Sequence, residues 1–196
     1  MTTFLECSGL LRLEDLVAIG DHLILEPRRQ DGADPRPYVE LGALRAWLAS
    51  TQSRGVRRAR VAADLVRPGV ESRRETRLRL LLVGAGLPEP LCGRSIHDAA
   101  GPIGWFDLTW PEWKVAAEYD GDQHRTSDEQ YEKDISRFDR AAAADWRVIR
   151  VRKRGVYEER ATTVRRVIEA LSKNGCPNPV PNRRKPLLHT PIEIGN

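Results

Sequence analysis

Residues 107–124, DLTWPEWKVAAEYDGDQH, constrain this chain more than any other stretch. Two short segments rich in aromatic and small apolar residues, IGWFDLTW and KVAAEYDG, flank a Pro-containing turn, the pattern of a β-hairpin. Asp107 lies on the first segment, and Glu118 and Asp120 lie on the second. Side chains alternate along a strand, so Glu118 and Asp120 share a face while Tyr119 takes the other. If Trp110 pairs with Val115 across the turn Pro111 to Lys114, Asp107 falls opposite Glu118, with Cβ atoms about 4.5–5.5 Å apart. A slip of one residue sends Asp107 to the other face. Clustered carboxylates repel unless their charge is offset, and a divalent metal bound by Asp107 and its neighbours would do so. The alternative is that Asp107 ends a strand while Glu118 and Asp120 are solvated edge charges.

The length supports one sizeable core with additional segments. The net charge is only +4, and the strong preference for arginine over lysine has an ordinary source in GC-rich coding. Charge alone therefore argues weakly for a nucleic-acid partner. Cys7, Cys92 and Cys176 are widely spaced and lack the CxxC pairings of a zinc site, which predicts plain thiols in a reducing cytoplasm. The segment MTTFLECSGLLRLEDL has no basic region followed by an apolar core, so no signal peptide is expected, and no apolar run approaches bilayer length.

Three parts follow from the pattern. Residues 1–70 read as a small helical connector, LRLEDLVAIGDHL, VELGALRAWLAS and GVRRARVAADLV, interrupted by the loop PRRQDGADPRP. Residues 71–171 carry nearly all strand signals and every chemical motif. Residues 172–196, dense in Pro and Asn, read as an extended tail.

The central part opens with ESRRETRLRLLLVGAGL, where Leu78, Leu81, Leu82 and Ala85 recur at helical spacing. Glu75 lies on the same stripe near the N-terminus. Ser72 and Glu75 match a capping box, so the glutamate has a structural reading beside a functional one in which it reaches toward the acidic hairpin. A second helix, TSDEQYEKDISRFDRAAAADW, follows the hairpin, with Asp134 and Arg137 one turn apart as an ordinary surface ion pair. A strand WRVIRVRKR and a helix ERATTVRRVIEAL complete a mixed α/β sheet covered by helices.

Taken in order, ETRLRLLLVGAGLPEP, IGWFDLTWPEWKVAAEYDGDQH and YEKDISRFDRAAAADWRVIRV resemble the endonuclease-like family called domain of unknown function 559, related to the very-short-patch repair endonucleases of the PD-(D/E)XK superfamily. The resemblance covers residues 71–171 and implies a restriction-endonuclease-like mixed β-sheet core flanked by helices. It implies catalytic roles for Glu75, Asp107, Glu118, Asp120 and His124. Asp107, Glu118 and the Tyr119 carbonyl would then bind the metal. One departure stands out: the superfamily's usual lysine, two residues after the second acid, is Asp120 here. Aspartate cannot stabilise an attacking hydroxide, so that task passes to the metal or to His124.

Oxygen donors of this kind suit Mg²⁺ or Mn²⁺. Such an ion lowers the pKa of bound water and stabilises charge on a phosphodiester. His124, with an ordinary pKa of about 6.5, suits proton transfer to or from the reacting oxygens; its structural alternative is a loop histidine satisfied by backbone. Arg73, Arg74, Arg77, Arg150, Arg152 and Lys153 are the candidate phosphate contacts, against the plainer reading of solvated charge. Trp110 and Trp113, beside the turn, are candidates to stack on or wedge between bases, whereas Trp105 and Trp146 read at least as well as core residues. The sequence thus predicts a Mg²⁺- or Mn²⁺-dependent DNA endonuclease of repair or defence, cytoplasmic and possible as a homodimer. The alternative is a catalytically inactive nucleic-acid-binding module of a regulatory or toxin-antitoxin type system.

Overall fold

The computed structural model describes residues 1–121 and 128–180; within 128–134 it describes the helical backbone only. The chain divides into two compact units, residues 1–77 and the remainder from Leu78.

The first unit is helical, with α1 (Thr2–Cys7), α2 (Leu13–Leu23), α3 (Leu41–Ser50) and α4 (Val56–Leu65). Their apolar stripes supply Phe4, Leu16, Val17, Leu44, Leu48, Ala59 and Ala62, all essentially inaccessible. Each fully buried leucine contributes about 1.5–3 kcal/mol. Gly20 lets α2 approach the end of α4, since a Cβ there would run into Val66. Arg60 donates to the carbonyls of Leu48, Ala49 and Thr51, satisfying the open end of α3. The buried Asp21 accepts from the Arg67 backbone N–H and the Thr76 hydroxyl, each at 2.8 Å. That pairing offsets the cost of burying its carboxylate.

Helix α5 (Arg73–Gly84) begins in the first unit and ends in the second. Leu78, Leu81 and Leu82 are buried as their spacing predicts, and Leu80 and Arg79 are buried too. Arg79, with its side chain fully enclosed, is paired to Glu89 at 3.0 Å.

The second unit is built on a four-stranded mixed sheet in the order β1 (Leu91–Asp98), β2 (Gly101–Trp110), β3 (Val115–Tyr119) and β4 (Arg147–Val151). The first two pairings are antiparallel and the third is parallel. Trp110 pairs with Val115, as the turn chemistry predicts, and Lys114 closes the turn in the left-handed region at φ 49°. Val115, Ala116 and Ala117 are all inaccessible. Successive side chains point to opposite faces, so β3 is covered on both. Helix α6 (Asp128–Ala143) makes the crossover from β3 to β4, and α8 (Arg160–Lys173) also packs against the sheet, after the short α7 (Lys153–Tyr157). Ile96, Ile103, Phe106, Ala116 and Ala141 form a core beneath α6, extended by Phe138, Trp146 and Val148. At the start of α8, Thr163 donates to the Gly155 carbonyl at 2.8 Å. A Cβ on Gly155 would lie 2.7 Å from that same hydroxyl oxygen and 2.9 Å from Val151, so only glycine fits without movement.

Candidate acidic site

The hairpin acids come together at the end of the β2–β3 ladder. Backbone pairing runs from Trp110↔Val115 to Leu108↔Ala117, which makes Asp107 and Glu118 the next positions in register. The ladder does not continue there in regular form. The Asp107 side chain accepts the Tyr119 backbone N–H at 2.7 Å, standing in for a main-chain acceptor. This departs from simple cross-strand opposition of two carboxylates, because a short acidic side chain where the ladder stops reaches the neighbouring amide more readily than it tolerates a facing charge.

Glu118 and Asp120 have cationic partners. Arg137 of α6 makes a bidentate pair with Glu118, Nη2 to Oε1 at 2.7 Å and Nη1 to Oε2 at 3.0 Å. Both side chains are largely shielded, at 18% and 17% exposure. Arg137 also donates to the Trp105 carbonyl at 2.7 Å, and its guanidinium lies 4.7 Å from the ring centres of both Phe106 and Phe138. Gly104, at φ +154°, makes room for the arginine stem: a Cβ there would stand 2.6 Å from Arg137 Cδ. Asp120 is paired with Arg150 at 3.0 Å and Arg152 at 3.3 Å, and its backbone N–H donates to the Val151 carbonyl. Arg150 flanks the Phe138 ring from 4.8 Å, so this phenyl ring serves the arginines of both acids.

A third pair ties α6 to β1. Arg140 makes a bidentate contact with Asp98 at 2.9–3.1 Å. Desolvation would raise the Asp98 pKa, but Arg140's hydrogen bonds and charge, with the Ala100 and Gly101 amides, hold it below the ordinary carboxylate range.

The donor chemistry of Asp107, Glu118 and the Tyr119 carbonyl suits a hard divalent ion. The arrangement does not fit one: among the described residues no group of three or more His, Cys, Asp or Glu is placed to hold a metal, and both oxygens of Glu118 are engaged by Arg137. Internal arginines occupy the role that the sequence reading assigns to a cation. The Asp134–Arg137 spacing gives no sign of this, because Arg137 meets Glu118 only through the docking of α6 on the sheet. The side chain of Asp134, and all of His124, lie outside the described residues.

Glu75, Arg73, Arg74 and Arg77 belong to the first unit. Glu75 forms the helix cap that its spacing from Ser72 suggests: its N–H donates to Ser72 Oγ at 3.2 Å, and its carboxylate accepts the Glu71 N–H at 2.9 Å. Burial pushes its pKa up, opposed by the Ser72 and Glu71 hydrogen bonds. Arg73 and Arg77 are bound to Asp15 at 2.8 and 3.1 Å, so both have a structural partner. Desolvation raises the Asp15 pKa, yet bonds and charge from those two arginines leave it lowered overall. Asp15 and Arg73 border a cavity of about 480 Å³ lined also by Leu11, Ile19, His22, Ser72 and Thr76 among others. In the second unit, Arg150, Arg152 and Lys153 remain solvent-facing at the end of β4.

The tryptophans reverse one expectation. Trp110 is buried, with Nε1–H donating to the Pro88 carbonyl at 2.9 Å, so it is a core residue and no base wedge. Trp105, by contrast, is 45% exposed. Alternation around a turn locates neither, because burial there depends on what packs over the strand.

The fold and site therefore define a mixed α/β domain with an arginine-held acidic cluster at a hairpin end. No family model matches the chain, and no solved structure matches it. Two curated relatives, both from Mycobacterium tuberculosis, are similar over 96 residues at 27% identity: Uncharacterized protein MT2308 of strain CDC 1551 / Oshkosh and Uncharacterized protein Rv2248 of strain ATCC 25618 / H37Rv. Each match takes in 49% of this chain and 35% of the relative, so the shared part is about a third of the relative's length. Among the described residues, no helix is long and apolar enough to cross a membrane.

Proposed function

We propose that the second unit is a DNA endonuclease of the PD-(D/E)XK type, dependent on Mg²⁺ or Mn²⁺ and acting in repair or defence. The observation that supports this reading is the Tyr119 N–H bond to the Asp107 carboxylate just beyond the last pair of the β2–β3 ladder, which puts Asp107 beside the strand that carries Glu118. Exposed Arg150, Arg152 and Lys153 at the end of β4 supply cations for phosphate contacts that position a strand without reading its bases. In this reading His124 transfers a proton. A cytoplasmic homodimer acting on both strands belongs to the same proposal.

The pairing of Glu118 and Asp120 with arginines favours a second reading, a nucleic-acid-binding module that does not cut. Supercoiled plasmid incubated with the protein in Mg²⁺, in Mn²⁺ and in chelator separates the two. Metal-dependent nicking that Asp107→Asn and Glu118→Gln abolish supports the endonuclease. Retardation of DNA by the full chain with no nicking under any condition supports the binding module.

A further inference from the structure

We propose that the first unit carries a phosphate-binding face of its own, formed by Arg12, Arg54, Arg57 and Arg58, which takes the backbone of duplex DNA. The inference rests on the reading of this chain as a DNA-binding protein and adds to it a surface separate from the acidic hairpin.

Between Leu41 and Ala63 stand five arginines and no aspartate, glutamate or lysine. Two of the five have structural duties. Arg45 donates to the Ala63 carbonyl at 3.2–3.3 Å, and Arg60 serves the carbonyls at the end of α3. The other three, Arg54, Arg57 and Arg58, are exposed around the start of α4. Arg58 donates to the Leu11 carbonyl at 2.7 Å, and Ser8 Oγ donates to the Gly55 carbonyl at 3.1 Å. The turn between α1 and α2 therefore lies against the start of α4 and brings the exposed Arg12 alongside. Among the described residues none of the four arginines makes an ion pair, with Glu6, Glu14 or any other acid. Asp15 is held by Arg73 and Arg77, and Asp64 lies seven residues past Arg57, roughly 10 Å along α4.

Like charges held together repel, and here no internal acid offsets them, so an external polyanion gains the attraction that the fold leaves unused. The planar fork of each guanidinium matches the paired oxygens of a phosphate. Four cations spread over a helix start and the adjoining turn suit a line of charges, which a duplex presents at about one per 1.7 Å of axis. A bilayer or a protein partner would need an apolar face as well. Val56, Ala59, Ala62 and Ala63 of α4 are buried in the unit's own core, and Leu10 and Val61 are the large apolar side chains of this region left exposed. Two separate side chains do not make such a face.

The test measures binding of a short random-sequence duplex to the full chain by fluorescence anisotropy, in chelator, over a range of salt. Arg54→Gln with Arg57→Gln replaces two side chains that hold nothing in the fold, and thermal melting checks that the variant is folded. Near 0.1 M salt the pair should lower affinity roughly tenfold for each arginine, and should reduce the slope of log affinity against log salt by about 0.9 for each. Arg54→Lys with Arg57→Lys should restore most of that slope. Arg94→Gln with Arg147→Gln removes the same charge from exposed positions of the second unit and should leave the slope near wild type. Single Arg57→Gln, expected to show half the effect, decides the matter if the double variant fails to fold. The proposal is overturned if the folded patch variants keep wild-type affinity and slope, if the second-unit pair loses as much, or if anionic phospholipid vesicles bind through these arginines and duplex does not. Plasmid nicking separates the two readings. A wild type that nicks DNA while the patch variants bind duplex unchanged keeps the endonuclease and removes the patch. A wild type that binds duplex through the patch and never nicks keeps the patch and removes the endonuclease.

Discussion

The Asp107 carboxylate accepts the backbone N–H of Tyr119 at 2.7 Å, just beyond the last regular pair of the β2–β3 ladder. One side chain thus terminates a strand pairing and anchors the acidic cluster. Truncation and neutralisation should separate these duties. Asp107→Ala removes the acceptor and should cost about 1–3 kcal/mol, whereas Asp107→Asn keeps an acceptor oxygen and should cost less. Urea unfolding of both variants checks this ordering. Equal losses would show that the hydrogen bond contributes little and that the charge matters more.

Glu75 should make stability depend on pH in a particular direction. Its folded pKa is raised, chiefly by burial, so the folded chain holds this proton more tightly than the unfolded chain does. Its contribution is fully present below the unfolded value of about 4.3 and is lost as pH rises through the folded value. Glu75→Gln keeps an oxygen for the Glu71 N–H and cannot ionise. Its stability relative to wild type should therefore increase from pH 4 toward pH 7, a trend that melting curves across that range would read. A difference that stays flat with pH would remove the buried-acid account of Glu75.

The two β2 tryptophans should respond oppositely to substitution. Trp110→Phe removes a buried bond to the Pro88 carbonyl and should destabilise by about 1–3 kcal/mol. Trp105→Ala, at an exposed position, should fall within about 0.5 kcal/mol of wild type. Denaturant midpoints of the two proteins test the contrast, and a large loss at Trp105 would mean that its exposed ring has a packing duty.

Much of this was legible locally. The Pro111–Lys114 turn and its flanking residues give Trp110↔Val115 and the register of the β2–β3 ladder, because turn chemistry and alternation act over a few residues. The Ser72–Glu75 spacing gives the cap of α5 for the same reason. The full enclosure of Arg79 was not legible: it interrupts the leucine stripe as an ordinary surface residue would, and only its neighbours in space make it a buried partner of Glu89. The burial of Trp110 is of the same kind.

The sequence by itself determined where α2 to α6, α8 and the β2–β3 hairpin lie, and that Asp107, Glu118 and Asp120 fall on that hairpin or just past it. Those features depend on periods of two and 3.6 residues and on turn residues, all short-range. Only the tertiary structure decided which cations meet those acids. Arg137 is 19 residues from Glu118 and reaches it because α6 packs over the sheet, and Arg150 meets Asp120 because β4 pairs in parallel with β3. No local pattern encodes such meetings; they exist once the crossover has docked and the strands have paired.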